Sequence, residues 1–375
     1  MEVRLIHESE IEACNAMHNA YYGKNRTVDQ WRWEFAKWRL PDGSIPYAIV
    51  RDAGKLVGTQ ALIPIRFIDR NGVFLTAKSE DTLIDPQYRG KNLFDSMYEL
   101  LFRVAREGKI QCIWGFTPAR GAFTRVGFDF PSDTSQLLLP LSSSFLLDNF
   151  KQQGTSLSKL KQLFYEVTGF TAVAGFGTYK LLQGGDKLNR DGLAAGINIA
   201  ALDTVPEEVS DLSHRFVARW SGMTIYRDAA YYRWRLHDNP YTPACLIGAY
   251  TGNKLVGIVA FALNHTGIGF IVDIIACSEL GVAHAELDQI IVSMLLCEAS
   301  RRMRVMGASC VRAWSVSDHP FDRLVRDVAK KQGFFHLQRG HGVVRYTRDA
   351  TNDAGPLNNI HQWYVTRLYS EGTDG

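Results

Sequence analysis

The chain carries one pattern twice. Gln30–Phe35 (QWRWEF) stands ahead of Pro41, and Tyr231–Leu236 (YYRWRL) stands ahead of Asn239-Pro240. Each is followed by a strand, a turn and a strand that share the tetrapeptide KLVG, at Lys55–Gly58 and Lys254–Gly257, 199 positions apart. The openings match as well: an apolar run Val3–Ile6 and a helical stretch Ile11–Tyr22 parallel Ile197–Leu202 and Val205–Ala218. Toward each end a short helical stretch closes on Gly-Phe, at Gly127-Phe128 and Gly333-Phe334. A period this long marks a duplicated domain, not a solenoid repeat. The 375 residues are enough for two such domains. The expected division is 1–140 and 197–375, joined by a partly helical connector, 141–196. That connector is rich in glycine and has helical apolar spacing over Leu157–Val167.

Within the first copy the strands come as hairpins. Tyr47–Arg51 and Leu56–Ile65 turn at Asp52-Ala53-Gly54, and Ala61–Phe67 and Val73–Lys78 flank Asp69-Arg70-Asn71-Gly72. A helix over Leu93–Arg106 and a strand over Gln111–Phe116 follow. This order predicts an α/β fold of the α+β kind, with a mixed sheet that starts antiparallel and turns parallel.

The stretch SEDTLIDPQYRGKNLF, residues 79–94, carries the chemistry. An apolar strand, Thr82–Ile84, runs into Asp85-Pro86, and a helix is expected to open near Gly90. A glycine turn that opens a helix leaves backbone N–H groups converging on one spot, with the positive end of the helix dipole behind them. Such a place suits a phosphate or pyrophosphate, and Arg89 and Lys91 add positive charge.

Other classes of function find no support. Forty-two Lys and Arg against 39 Asp and Glu give a net charge of +3, too balanced for bulk nucleic-acid binding. Six scattered cysteines without a CxxC pair read as buried thiols of a reducing compartment. His18, His214, His237, His319 and His341 lack metal-ligand spacing. No apolar run reaches the length of a membrane span, and MEVRLIHESE has no signal-like core, so a cytoplasmic protein is expected.

The loop Gln87-Tyr88-Arg89-Gly90-Lys91-Asn92 follows the acidic pair Glu80-Asp81 and Asp85-Pro86. With the later Phe123–Phe128 (FTRVGF), it resembles the GNAT acyltransferases over residues 45–128, and the second copy resembles them more weakly. The whole is thus similar to a tandem GNAT protein whose second domain is degenerate. The resemblance implies acetyl-CoA, or another acyl-CoA, as cofactor and a small-molecule amine as acceptor. It assigns cofactor binding to Leu83, Ile84, Gln87, Arg89, Gly90, Lys91, Asn92, Leu93 and Phe123. It places Tyr21, Tyr22, Trp31, Trp114 and Thr117 around the acceptor. The expected reaction is direct attack of the amine on the thioester, with Glu80 or Asp81 taking the proton. Because side chains alternate along a strand, one of the two carboxylates should face the cleft.

Two departures from the family pattern stand out. Thr124 takes the place of a tyrosine that commonly protonates the departing thiolate, and Thr117 takes that of an asparagine. They motivate an alternative, a non-catalytic CoA-binding or scaffolding protein. In the second copy the corresponding turn reads Ser278-Glu279-Leu280-Gly281, where an acid would repel phosphate, so no CoA is expected there.

Overall fold

The computed structural model describes residues 1–40, 42–145, 167–169, 171, 195–278, 284–316, 318–347 and 356–369. The helix expected over Leu157–Val167 and the turn Glu279–Gly281 lie almost wholly outside these. The chain divides into two units: Met1–Asp133 with Gly340–Ile360, and Thr134–Arg339 with His361–Gly375.

In the first unit, β1 (Glu2–Leu5), β2 (Tyr47–Asp52), β3 (Lys55–Asp69) and β4 (Gly72–Ile84) form an antiparallel meander. Ala53 and Gly54 make the β2–β3 turn at φ +46° and +82°, the left-handed pair that a two-residue hairpin needs. Helices α1 (Ile11–Tyr22) and α2 (Val28–Phe35) fill the β1–β2 connection, and Thr27 caps α2 in a capping box with Gln30. After β4 come α3 (Leu93–Glu107), β5 (Cys112–Thr117) and the short α4 (Arg120–Arg125).

Helix α3 is strongly amphipathic. Its apolar face (Leu93, Phe94, Met97, Tyr98, Leu101, Val104) packs on Val50, Val57, Leu62, Ala77 and Ile113 of the sheet. Tyr47 alternates with Ala48 and so faces the other side, where it meets Trp31 and Phe35 of α2. The sheet therefore has helices on both faces.

The second unit repeats the order. It has β7 (Ile197–Leu202), α5 (Val209–Trp220), β8 (Met223–Ile225), α6 (Ala229–Tyr232) with a π-helical turn at Arg233–His237, β9 (Cys245–Thr251), β10 (Lys254–Leu263), β11 (Ile268–Ala276), α7 (His284–Val305), β12 (Cys310–Ser315) and α8 (Pro320–Lys331). β7, β9, β10 and β11 are antiparallel neighbours, and β11 and β12 are parallel. A Cβ on Gly257 would come within 2.6 Å of Ile291 and 3.1 Å of Leu295, so the second KLVG glycine allows α7 to lie close on β10.

The closing strands do not follow the division by sequence at 140 and 197. β6 (Asp129–Pro140) gives Ser135–Pro140 to β12, whereas β5 is closed by Gly342–Thr347 of β13 (Phe335–Thr347). Both pairings are antiparallel. Each unit thus completes its sheet with a strand from the other half of the sequence. Hydropathy patterning cannot reveal this exchange, because either partner satisfies the same edge hydrogen bonds.

Candidate functional site

The strand and the loop of the first unit meet at one end of the sheet. β4 and β5 pair only at Ala77↔Ile113 and Lys78↔Trp114. β4 continues to Ile84 and β5 to Thr117, so the two strands part beyond that point. A bulge lies in the same stretch. Thr59 faces Leu83 and Ala61 faces Glu80, which puts one extra residue into β4. Asp81 stands in the bulge at φ +56°. Thr59 Oγ1 donates to the Asp81 carbonyl at 3.0 Å, and Gln60 Nε2 donates to that of Glu80 at 3.0 Å. These bonds satisfy the carbonyls that the bulge frees from the ladder.

Simple alternation therefore does not decide between the two carboxylates, because the bulge interrupts it. Asp81 is drawn into a buried network. It accepts from Arg26 at 3.1 and 3.3 Å and from the Tyr47 hydroxyl, and it lies 3.2 Å from His18 Nδ1. Arg26 also reaches Glu34 at 3.1 Å. Burial lowers the proton affinity of Arg26, but Asp81 and Glu34 outweigh it, so the guanidinium stays firmly charged. Burial, reinforced by Asp81, keeps the Tyr47 phenol protonated well above its usual range. Glu80 instead pairs with the buried Lys78 on the same face of β4. Sequence spacing missed His18. Its Nε2 lies 2.7 Å from Thr59 Oγ1, and α1 brings it to the bulge, although nothing in the local pattern of α1 marks it.

The second unit has a matching device. Asp273 sits at a bulge of β11, where Ala260 faces Asp273 and Phe261 faces Ile271. It accepts from Arg227 at 2.7 and 3.0 Å, from Tyr232, and from Thr366 at 2.7 Å. Arg227 and Asp273 are fully enclosed. A carboxylate–arginine clamp therefore braces the bulge in both copies, which marks Asp81 as a brace.

The loop leaves the bulged strand directly. Asp85 accepts the Gln87 N–H at 3.0 Å and holds a 3-10 turn, Pro86–Tyr88. Gly90 has φ +78° and Asn92 has φ +56°. Two left-handed residues cannot belong to the helix, so α3 starts at Leu93 and not near Gly90. Asn92 tolerates this angle better than most residues and takes the N-cap position. Its side chain makes no cap to the first-turn amides of α3. Gln87, Arg89, Gly90, Lys91 and Asn92 are exposed, and nothing lies within 4 Å of where a Cβ on Gly90 would stand. An exposed loop leading into an uncapped helix start, with two cations beside it, fits a pyrophosphate. Lys91 lies over the Tyr88 ring, and Arg89 bonds the Tyr21 hydroxyl.

The remaining expected residues separate into two groups. Tyr21 and Tyr22 are exposed, and Tyr22 reaches the Thr82 carbonyl at 3.4 Å. Thr117, at the end of β5, accepts the Ala119 N–H at 3.1 Å and so starts α4. Leu83 and Leu93 bury their side chains and leave only backbone to a ligand; Ile84 packs at the edge of the same core.

Three aromatics go into the core instead of a cleft wall. Trp31 is fully buried against Phe35 and Tyr47. Trp114 is fully buried, donates to Thr76 Oγ1 at 3.0 Å and packs on Phe67. Phe123 is buried among Phe94, Tyr98 and Phe128. Each sits on the inward face of its element, where a large apolar side chain gains most from burial. Thr124 is exposed on α4. Arg120 and Arg125 pair with Asp133 and Asp95 at the surface.

Residues 2–130 match the family described as acetyltransferase (GNAT) domain. No curated protein matches the chain. Among solved structures, a GCN5-related N-acetyltransferase from Anabaena variabilis superposes with TM-score 0.59 at 10% identity, over 92% of this chain and 72% of that one. Saccharomyces cerevisiae N-myristoyltransferase with bound myristoyl-CoA gives 0.53 at 14% identity, over 92% and 77%. A tandem GNAT protein from the clavulanic acid biosynthesis pathway gives 0.50 at 13% identity, over 94% and 100%. Residues 2–130 of this chain are thus similar to the GNAT acetyltransferase domain, and the chain as a whole has the fold of a tandem GNAT protein.

Proposed function

We propose that the protein is an acetyl-CoA-dependent N-acyltransferase. It moves an acetyl or other short acyl group to an amine, with an amino sugar or an amino-acid-like metabolite as acceptor. The observation that carries this reading is the Gln87–Leu93 loop, with two left-handed residues, an uncapped helix start and flanking cations at the end of a strand that parts from its neighbour.

Bound acyl-CoA supplies an activated thioester. The chain's own task is to hold it, orient the amine and accept a proton. The amides from Arg89 to Leu93 hold the pyrophosphate, with Gln87, Arg89 and Lys91 beside it. Backbone groups of Leu83 and Ile84, beyond the last β4–β5 pair, take the pantetheine arm. Glu80 is the proton acceptor, positioned by Lys78, while Asp81 braces the bulge that carries it. Tyr21 and Tyr22 present exposed aromatic faces to the acceptor. Thr124 is a poor acid, but a thiolate with a free pKa of about 8.5 leaves without one.

A second reading, a CoA-binding protein without catalysis, is favoured by Thr124 and Thr117. Two measurements separate the possibilities. Acetyl-CoA binding followed by calorimetry is expected to vanish in Gly90→Glu, and unchanged binding would remove the site assignment. Release of free CoA thiol with a panel of amines is expected from the enzyme, and saturable binding without release from any amine would favour the second reading.

A further inference from the structure

The second unit has a cationic cleft that the proposed reaction does not use. It has a volume of about 240 Å³ and is lined by Arg323, Arg326, Asp327 and Lys330 of α8 and His336 of β13. On α8, Phe321, Val325, Val328 and Ala329 are buried. Arg323, Arg326 and Lys330 are three and four residues apart, so they line one side of the helix in successive turns.

Arg326 is held in place by Asp318 at 3.0 Å and Ser315 Oγ at 3.3 Å. Arg323 and Lys330 have no carboxylate partner among the described residues. Lys330 stands in the last turn, where the helix dipole favours a cation. Arg323 stands in the first turn, where the dipole opposes one. Like charges at this spacing also repel. With Asp318 paired to Arg326 and Asp327 in the lining, the cleft holds three cations against two carboxylates, and Arg323 and Lys330 face a space much larger than the ~30 Å³ share of a water molecule. His336 is held by Ser135 Oγ at 2.8 Å. Partial burial and then the neighbouring Arg326 and Lys330 lower its proton affinity.

We propose that this cleft binds the phosphate group of a small phosphorylated ligand. Two guanidinium groups and an ammonium suit a phosphate, which offers oxygens to several donors at once, whereas a single carboxylate fills one fork.

The test uses inorganic phosphate with the full chain. A Gly90→Glu background removes the other candidate phosphate cradle. Saturable binding is expected by calorimetry, and it should weaken roughly tenfold or more in Arg323→Glu/Lys330→Glu, which loses two charged donors. Both side chains are exposed, so the fold should survive. The second readout is the His336 ring in NMR titrations. Phosphate should raise its titration midpoint, because an anion facing Arg323, Arg326, Asp327 and Lys330 offsets the cations that oppose protonation. Three results would each overturn the proposal: no saturable phosphate binding, equal affinity in the double variant, or acetate binding as tightly as phosphate. Any of them would leave α8 with an ordinary solvated basic face.

Discussion

Replacing Gly90 by alanine separates the loop's backbone geometry from its contact with a ligand. Gly90 has φ +78°, and a Cβ there would meet no atom within 4 Å. The substitution therefore creates no clash, and its cost to stability is conformational. A left-handed L-residue costs about 1–2 kcal/mol, and the stiffer unfolded chain returns about 0.4–1 kcal/mol. The net loss should be about 1 kcal/mol.

Gly43 is the matched control, at φ +83° with nothing within 4 Å, in a turn away from the loop. Gly43→Ala should lose the same stability. Ligand binding should behave differently. In the Gly90 variant the added methyl group enters the exposed loop proposed to hold the pyrophosphate, where it is expected to cost the ligand a hydrogen bond. Displacing one charge-assisted hydrogen bond costs about 1.5–3 kcal/mol, or roughly 10- to 150-fold in affinity. Denaturant unfolding and calorimetric titration with acetyl-CoA measure the two effects. Equal CoA affinity in Gly90→Ala, Gly43→Ala and the parent chain would refute the assignment of the loop, whatever the stability loss.

Asp273→Asn should cost about 3–5 kcal/mol, because Arg227 is completely enclosed. Asp81→Asn should cost less, about 1–3 kcal/mol, since Arg26 keeps Glu34; equal losses in equilibrium unfolding would show that the two clamps are not distinguished in this way. His319 has its pKa lowered from 6.5 to about 4 by burial. Above pH 6.5 the ring is neutral in both states. As pH falls from 6.5 toward 4, the unfolded chain takes up a proton that the fold resists, so stability drops, by of the order of 3 kcal/mol in all. His319→Asn should flatten this slope in unfolding midpoints measured across that window. The Glu10 contribution runs separately: Arg4 holds its pKa near 2, so its stabilisation is lost only below pH 4.5. A fragment of residues 1–133 should fail to unfold cooperatively by circular dichroism, since β5 lacks its Gly342–Thr347 partner; fusing residues 340–360 to it should restore the transition. Glu80→Gln should lower the acetylation rate by about 10²-fold or more with acetyl-CoA affinity unchanged, and an unaltered rate would remove Glu80 as the proton acceptor.

Much of the plan was legible in the sequence because it rests on local chemistry. The two KLVG hairpins, the apolar stripe of α3 and the glycine turn after Ile84 each follow from residues close together in the chain. Periodicity and turn preference act over a few residues, so they survive reading in one dimension. The duplication was visible for the same reason, as two runs of local patterns in one order.

Tertiary structure decided the rest. The resemblance puts Trp31 and Trp114 around the acceptor and Phe123 at the cofactor, and only the packing of α2, β5 and α4 sends them inward. A bulge depends on the register between two strands, so the sequence of β4 alone could not show that Asp81 leaves the alternation. Neither could it show that Arg26, Tyr47 and His18 would meet there from three other elements. Which strand closes each sheet was also beyond the sequence, because edge hydrogen bonds are made by backbone that every residue shares. The sequence by itself determined two copies of one domain and a glycine turn between strand and helix in the first. Long-range pairing decided that Asp81 is drawn into a clamp with Arg26 while Glu80 pairs with Lys78.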